Sequence, residues 1–109
     1  MNDIAVITES LVRFRDARDW KQFHNPKDLA IAISVEAGEL LEAFLWKHPE
    51  EPKSEKVKEE LADIFAYAFL LANHYGFDVK DILLEKMEAN DKKYPVEKSK
   101  GTAKKYTEL

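Results

Sequence analysis

The chain has 109 residues, of which 45% are hydrophobic and 11% aromatic, and its 17 Lys and Arg stand against 21 Asp and Glu for a net charge of -4. That balance excludes broad electrostatic binding to duplex nucleic acid, and the absence of cysteine excludes a disulfide framework or a thiolate metal site. A domain this small buries only roughly 65% of the surface its unfolded chain exposes, so a chain this apolar is expected to associate with copies of itself.

The opening segment, MNDIAVITESLVRFRD, has neither a basic start nor a continuous apolar stretch, so no secretory signal is expected. The first helix is expected from about Asp3 to Ala17, with Ile4, Ile7, Leu11 and Phe14 on one face, followed by a loop from Arg18 to Asn25. Asn25 then caps a second helix that carries Pro26 at its first position, where a missing N–H costs nothing, and that reaches about Lys47. His48 to Pro52 form a polar connection. Ser54 is the expected cap of a third helix running to Tyr75, with Gly76 as its left-handed terminus. Within it, Ile64 to Ala72 is the longest apolar run, far short of the ~20 residues a membrane span needs. Asp78 caps a fourth helix that stops before Pro95, and the lysine-rich remainder reads as an irregular, extended tail over residues 95–109. A cytoplasmic protein with no membrane partner is expected.

The second and third helices carry acids where apolar residues dominate. From Leu61 to Ala72 the sequence LADIFAYAFLLA is apolar around the whole helix except at Asp63, and a helix apolar on every side is expected to be buried on every side. Between Leu29 and Trp46 the only charged residues are Glu36, Glu39 and Glu42, among Ile31, Ile33, Val35, Leu40, Leu41 and Phe44. Glu36 and Glu39 are three apart, as are Glu60 and Asp63, so each pair leaves one helix face. Two such pairs on neighbouring helices would meet, and ionised carboxylates in a poorly solvated site cost several kcal/mol each unless a positive partner offsets them. Neither stretch contains a lysine, whereas Mg²⁺ takes oxygen ligands and bridges carboxylates to phosphates. Acids that merely solubilise the rim of a helical bundle are the alternative, and Glu42 and Glu59 are assigned to it. A ferritin-like di-iron site is disfavoured, because it needs Glu-x-x-His pairs and no Glu here is followed three residues later by His.

The segments VEAGELLEAFLW and EELADIFAYAFLLA resemble the paired ExxE and ExxD motifs of the MazG-like all-α nucleoside triphosphate pyrophosphohydrolases. With RDWKQFHNP before them and KKYPVEKSKGTAKKYTEL after them, the likeness extends from about Arg18 to the end of the chain and is strongest to the compact dCTP-hydrolysing members. The resemblance implies a single all-α domain over residues 1–109, a four-helix bundle completed by oligomerisation; dimer and tetramer both stay open, with the wholly apolar third helix favouring the tetramer. It implies hydrolysis of a (d)NTP to the monophosphate and pyrophosphate, with Glu36, Glu39, Glu60 and Asp63 as catalytic residues and ligands of Mg²⁺, for which Mn²⁺ can substitute.

On the fourth helix the apolar stripe of Val79, Ile82 and Leu83 continues as Lys86, Asn90 and Lys93, with Tyr94 beyond. Cations there are suited either to a triphosphate or to an ordinary solvated helix end favoured by the macrodipole. The resemblance implies phosphate contacts for all four. Trp20, Phe23, His24 and Trp46 cluster before and along the second helix; such rings either cover a core or stack on a base for about 1–3 kcal/mol each. The resemblance implies a nucleobase pocket of Trp20, His24, Trp46 and Tyr67. A non-catalytic helical module that binds nucleotides or serves an assembly interface is the remaining alternative.

Overall fold

The computed structural model describes residues 2–109 and, among them, is helical with no strand. Five α-helices occur in order, α1 Asp3–Ala17, α2 Pro26–Glu42, α3 Ser54–His74, α4 Val79–Lys93 and α5 Val96–Ser99, with 3₁₀ turns at Lys21–Phe23 and Tyr106–Glu108. The chain divides into two compact units, the first ending at Phe77 and the second comprising Asp78–Leu109.

In the first unit the helix boundaries follow local chemistry. The Asn2 side chain accepts from the Ala5 amide at 2.8 Å, and Asn25 does the same for Asp28 at 2.9 Å with Pro26 in the first turn, as the sequence predicts. At the far end of α3, Gly76 takes φ +71°, and the Phe77 and Gly76 amides donate to Ala72 O and Asn73 O at 2.9 and 3.1 Å. These two bonds make a Schellman terminus, which a residue without Cβ accepts freely. Lys53 rather than Ser54 occupies the cap position of α3 and makes no side-chain capping bond.

Two expectations are corrected. The second helix stops at Glu42, five residues before Lys47: beyond it Phe44, Leu45 and Lys47 amides donate three residues back, to Leu41, Glu42 and Phe44. This tightened coil ends on Trp46 at φ +63°, a conformation few bulky residues adopt. The third helix is not buried on every side. It packs along α2 and against α1, with Leu70, Ala72 and Glu60 buried, yet Phe65 is 53% and Leu61 38% exposed. Ile7 and Leu11 of α1, with Ala62, Phe65 and Phe69 of α3, leave an apolar groove of about 340 Å³. Apolarity around a helix therefore records what it can bury, not what this single chain covers.

Leu29, in the first turn of α2, is only 2% exposed. Leu29→Ala is expected to destabilise the protein by about 2–5 kcal/mol, from lost transfer energy plus the cavity left behind, measured by denaturant unfolding against wild type.

The second unit begins with Asp78, whose side chain accepts from the Asp81 amide at 3.0 Å, and α4 ends before Pro95 as expected. The segment after it is not wholly irregular. Ser99 Oγ donates to Tyr94 O and Pro95 O, closing the single turn of α5, and Tyr106 packs edge-on to Tyr94 with ring centroids 6.0 Å apart.

Candidate functional site

Because α2 and α3 lie against each other and each carries two acids one turn apart, their facing sides bring carboxylates together. One oxygen from each of Glu36, Glu60 and Asp63 lies within 4.8 Å of the other two. Glu60 is 3% exposed, Glu36 and Glu39 are half-buried, and Asp63 is exposed, so the cluster opens to solvent on one side. Glu39 stands outside this set of three but presses on it electrostatically. Glu42 and Glu59 are exposed.

The cluster is strained by its own charge. The Glu36 carboxyl is pushed up to about 7, first by sharing its proton with Glu60, then by burial and by Glu39 and Asp63. Glu60 moves the opposite way, lowered foremost by Lys56, whose Nζ lies 2.8 Å from Glu60 Oε1. Lys56 was missed in reading the sequence for an offsetting cation: it precedes the acidic stretch, and its signal was the i, i+4 spacing to Glu60.

When both groups are ionised, Glu36 Oε2 and Glu60 Oε2 are buried with no hydrogen-bond partner. A buried charged oxygen without a partner carries a desolvation cost that a cation would remove. Three carboxylates, all hard oxygen donors, with one open side fit a hydrated divalent ion of the Mg²⁺ or Mn²⁺ type and suit soft metals poorly.

Beside the acids is a cavity of about 260 Å³ whose lining includes Arg15, Trp20, His24, Asp63 and Tyr67. Asp63 thus belongs to both features. His24 and Tyr67 meet edge to face with centroids 6.3 Å apart. Burial, and secondarily Arg15, holds the His24 imidazole below its ordinary pKa, and its buried Nδ1 has no partner. Burial and the nearby acids raise the Tyr67 phenol, which keeps its proton and remains a donor. Trp46 does not line this cavity; it is 94% exposed in the α2–α3 connection. Arg15 also went unnoticed in the sequence, where a basic residue in the last turn of a helix reads as a response to the macrodipole.

In the second unit Lys86, Asn90 and Lys93 are exposed and Tyr94 is half-buried. Lys93 Nζ lies 4.9 Å from the centre of the Tyr106 ring, a cation–π distance.

Fold and site together define an all-helical protein with an acidic centre able to hold a divalent cation between two helices. The sequence pattern of the MazG-like family matches residues 31–109, and the chain belongs to that family. It is 42% identical over 104 residues to dCTP pyrophosphatase 1 of Bos taurus, covering 88% of this chain and 62% of the relative. Identity to dCTP pyrophosphatase 1 of Homo sapiens is 38%, covering 88% of this chain and 61% of the relative. The chain spans about three-fifths of the length of these curated relatives. Among solved structures, a pyrophosphatase from Archaeoglobus fulgidus superposes with a TM-score of 0.81 at 34% identity, covering 87% of this chain and 94% of that one. No helix among the described residues is long and apolar enough to cross a membrane.

Proposed function

We propose that this chain is a magnesium-dependent nucleoside triphosphate pyrophosphohydrolase, converting a (d)NTP and water to the (d)NMP and pyrophosphate, with dCTP or modified deoxynucleotides favoured. The observation that carries the reading is the convergence of Glu36, Glu60 and Asp63 around two buried oxygens without partners. The named relatives, dCTP pyrophosphatases and a pyrophosphatase, support the reaction and the base.

A divalent ion bound by these acids supplies positive charge to the phosphate oxygens and acidifies a nearby water. Asp63, shared between cluster and cavity, sets the reacting phosphate next to the acids when the base lies among Trp20, His24 and Tyr67. The water attacks the α-phosphorus, the bond to the β-phosphate oxygen breaks, and pyrophosphate leaves. Glu39, half-buried and outside the three-oxygen cluster, accepts the water's proton. The resemblance of the fourth-helix segment supports Lys86, Asn90, Lys93 and Tyr94 as phosphate donors, and Trp46 as a further base contact. The half-exposed apolar side chains Val6, Ile7 and Phe65 support a homo-oligomer, for which a tetramer is favoured. The role is nucleotide-pool housecleaning in the cytoplasm.

The test is pyrophosphate release from a panel of dNTPs and NTPs with Mg²⁺, with Mn²⁺ and with EDTA. The expected result is metal-dependent release, fastest with dCTP. Tight nucleotide binding without turnover in any metal would instead make the chain a non-catalytic nucleotide-binding module.

A further inference from the structure

We propose that Arg15 is the specificity-determining residue of the cavity, forking two hydrogen bonds onto a base edge that carries two adjacent acceptors. The inference rests on the nucleotide-binding reading above and extends it to a residue that reading does not use.

Arg15 sits in the last turn of α1, 8% exposed, with its side chain only one-tenth accessible. Among the described residues its side chain makes one hydrogen bond, from Nε to Asp16 Oδ1 at 2.9 Å, and no other carboxylate comes within 4.0 Å of it. Of the five N–H donors of a guanidinium, the four on Nη1 and Nη2 are left without a protein acceptor. A guanidinium does not shed its charge, and its Nη donors, unlike His24 Nδ1, are not closed off from solvent, so a ligand can reach them.

Arg15 lines a cavity that also presents Trp20, Tyr67 and His24, whose buried Nδ1 lacks a partner. Rings supply a face for a planar base; they do not tell one base from another. The planar fork does, because it matches two acceptors side by side. Cytosine offers O2 and N3, and guanine O6 and N7. Thymine and uracil place an N–H between their carbonyls, which meets the guanidinium donor to donor. Adenine sets an amino donor beside its ring acceptor on both outer edges.

The test is calorimetric titration of dCMP, dGMP, dTMP and dAMP into the wild-type chain, Arg15→Met and Arg15→Lys. Wild type is expected to bind dCMP or dGMP at least about tenfold more tightly than dTMP and dAMP, the scale of a charged hydrogen bond, and the tighter of the two names the base. Arg15→Met is expected to bring all four within about threefold of one another. Arg15→Lys, which keeps the charge but loses the fork, is expected to lose most of the same gap, and it decides the matter if the methionine variant fails to fold. Equal weakening of all four ligands, or an unchanged preference, would overturn the assignment. Recognition that follows Arg15 without pyrophosphate release from any triphosphate would sink the pyrophosphohydrolase reading alone. Release indifferent to Arg15 would sink the present inference alone.

Discussion

Asp63→Asn is expected to lower pyrophosphate release at least about a thousandfold while moving the thermal midpoint by no more than a few degrees. The substitution keeps the size of the side chain and removes its charge, so the cluster with Glu36 and Glu60 loses one of three anionic donors. Stabilisation of the phosphate oxygens and activation of water both depend on the ion those donors hold, and together they are worth several kcal/mol of the barrier. Asp63 is exposed, so no buried polar group is orphaned by the change. Glu60→Gln is the less informative variant, because Glu60 is buried and paired with Lys56, and its loss would disturb the fold as well as the chemistry. Near-normal turnover in Asp63→Asn would remove this residue from the centre.

The second large effect concerns pH. Glu36 has its proton held to about 7, well above the ordinary carboxylate range. Metal ligands must be deprotonated, so ion binding and proton binding compete at this carboxylate. Affinity for Mg²⁺ or Mn²⁺ is therefore expected to be flat above about pH 8 and to fall by up to about tenfold per unit below 7. Titration calorimetry in two buffers of different ionisation enthalpy checks it: close to one proton is released per ion at pH 6 and almost none at pH 8. The sign for the metal-free fold is opposite. A carboxyl whose folded value is raised favours the folded state when protonated. Its contribution is complete below the ordinary glutamate value of 4.5 and is lost as the pH rises through about 7. The metal-free protein thus loses this contribution over the range in which it gains affinity for the ion.

What could be read without coordinates was what is decided locally. Asn25 with Pro26, Asp78 and Gly76 mark helix ends because each satisfies backbone groups within a few residues of itself, and the structure places the ends of α2, α3 and α4 at them. The spacing of Glu36 from Glu39 and of Glu60 from Asp63 likewise fixes a shared helix face through periodicity alone. Which three oxygens close to 4.8 Å depends on how α2 approaches α3, and no local pattern carries that distance. The C-terminal end of α2 was hidden for a similar reason. No Gly or Pro marks residues 43–47, and the turn onto Trp46 at positive φ opposes the preference of a bulky side chain. Lys56 and Arg15 carry no local mark of a role, and only their neighbours show one paired to a buried acid and the other lining a cavity.

A cation seated among the acids of α2 and α3 is the feature on which the proposed chemistry depends. The most direct measurement is anomalous diffraction from crystals of the chain grown with Mn²⁺ and a nonhydrolysable dCTP analogue. The predicted result is a single strong peak or a close pair within about 2.0–2.3 Å of oxygens from Glu36, Glu60 and Asp63, absent from Asp63→Asn. Manganese bound elsewhere, with these side chains turned apart into solvent, would contradict it.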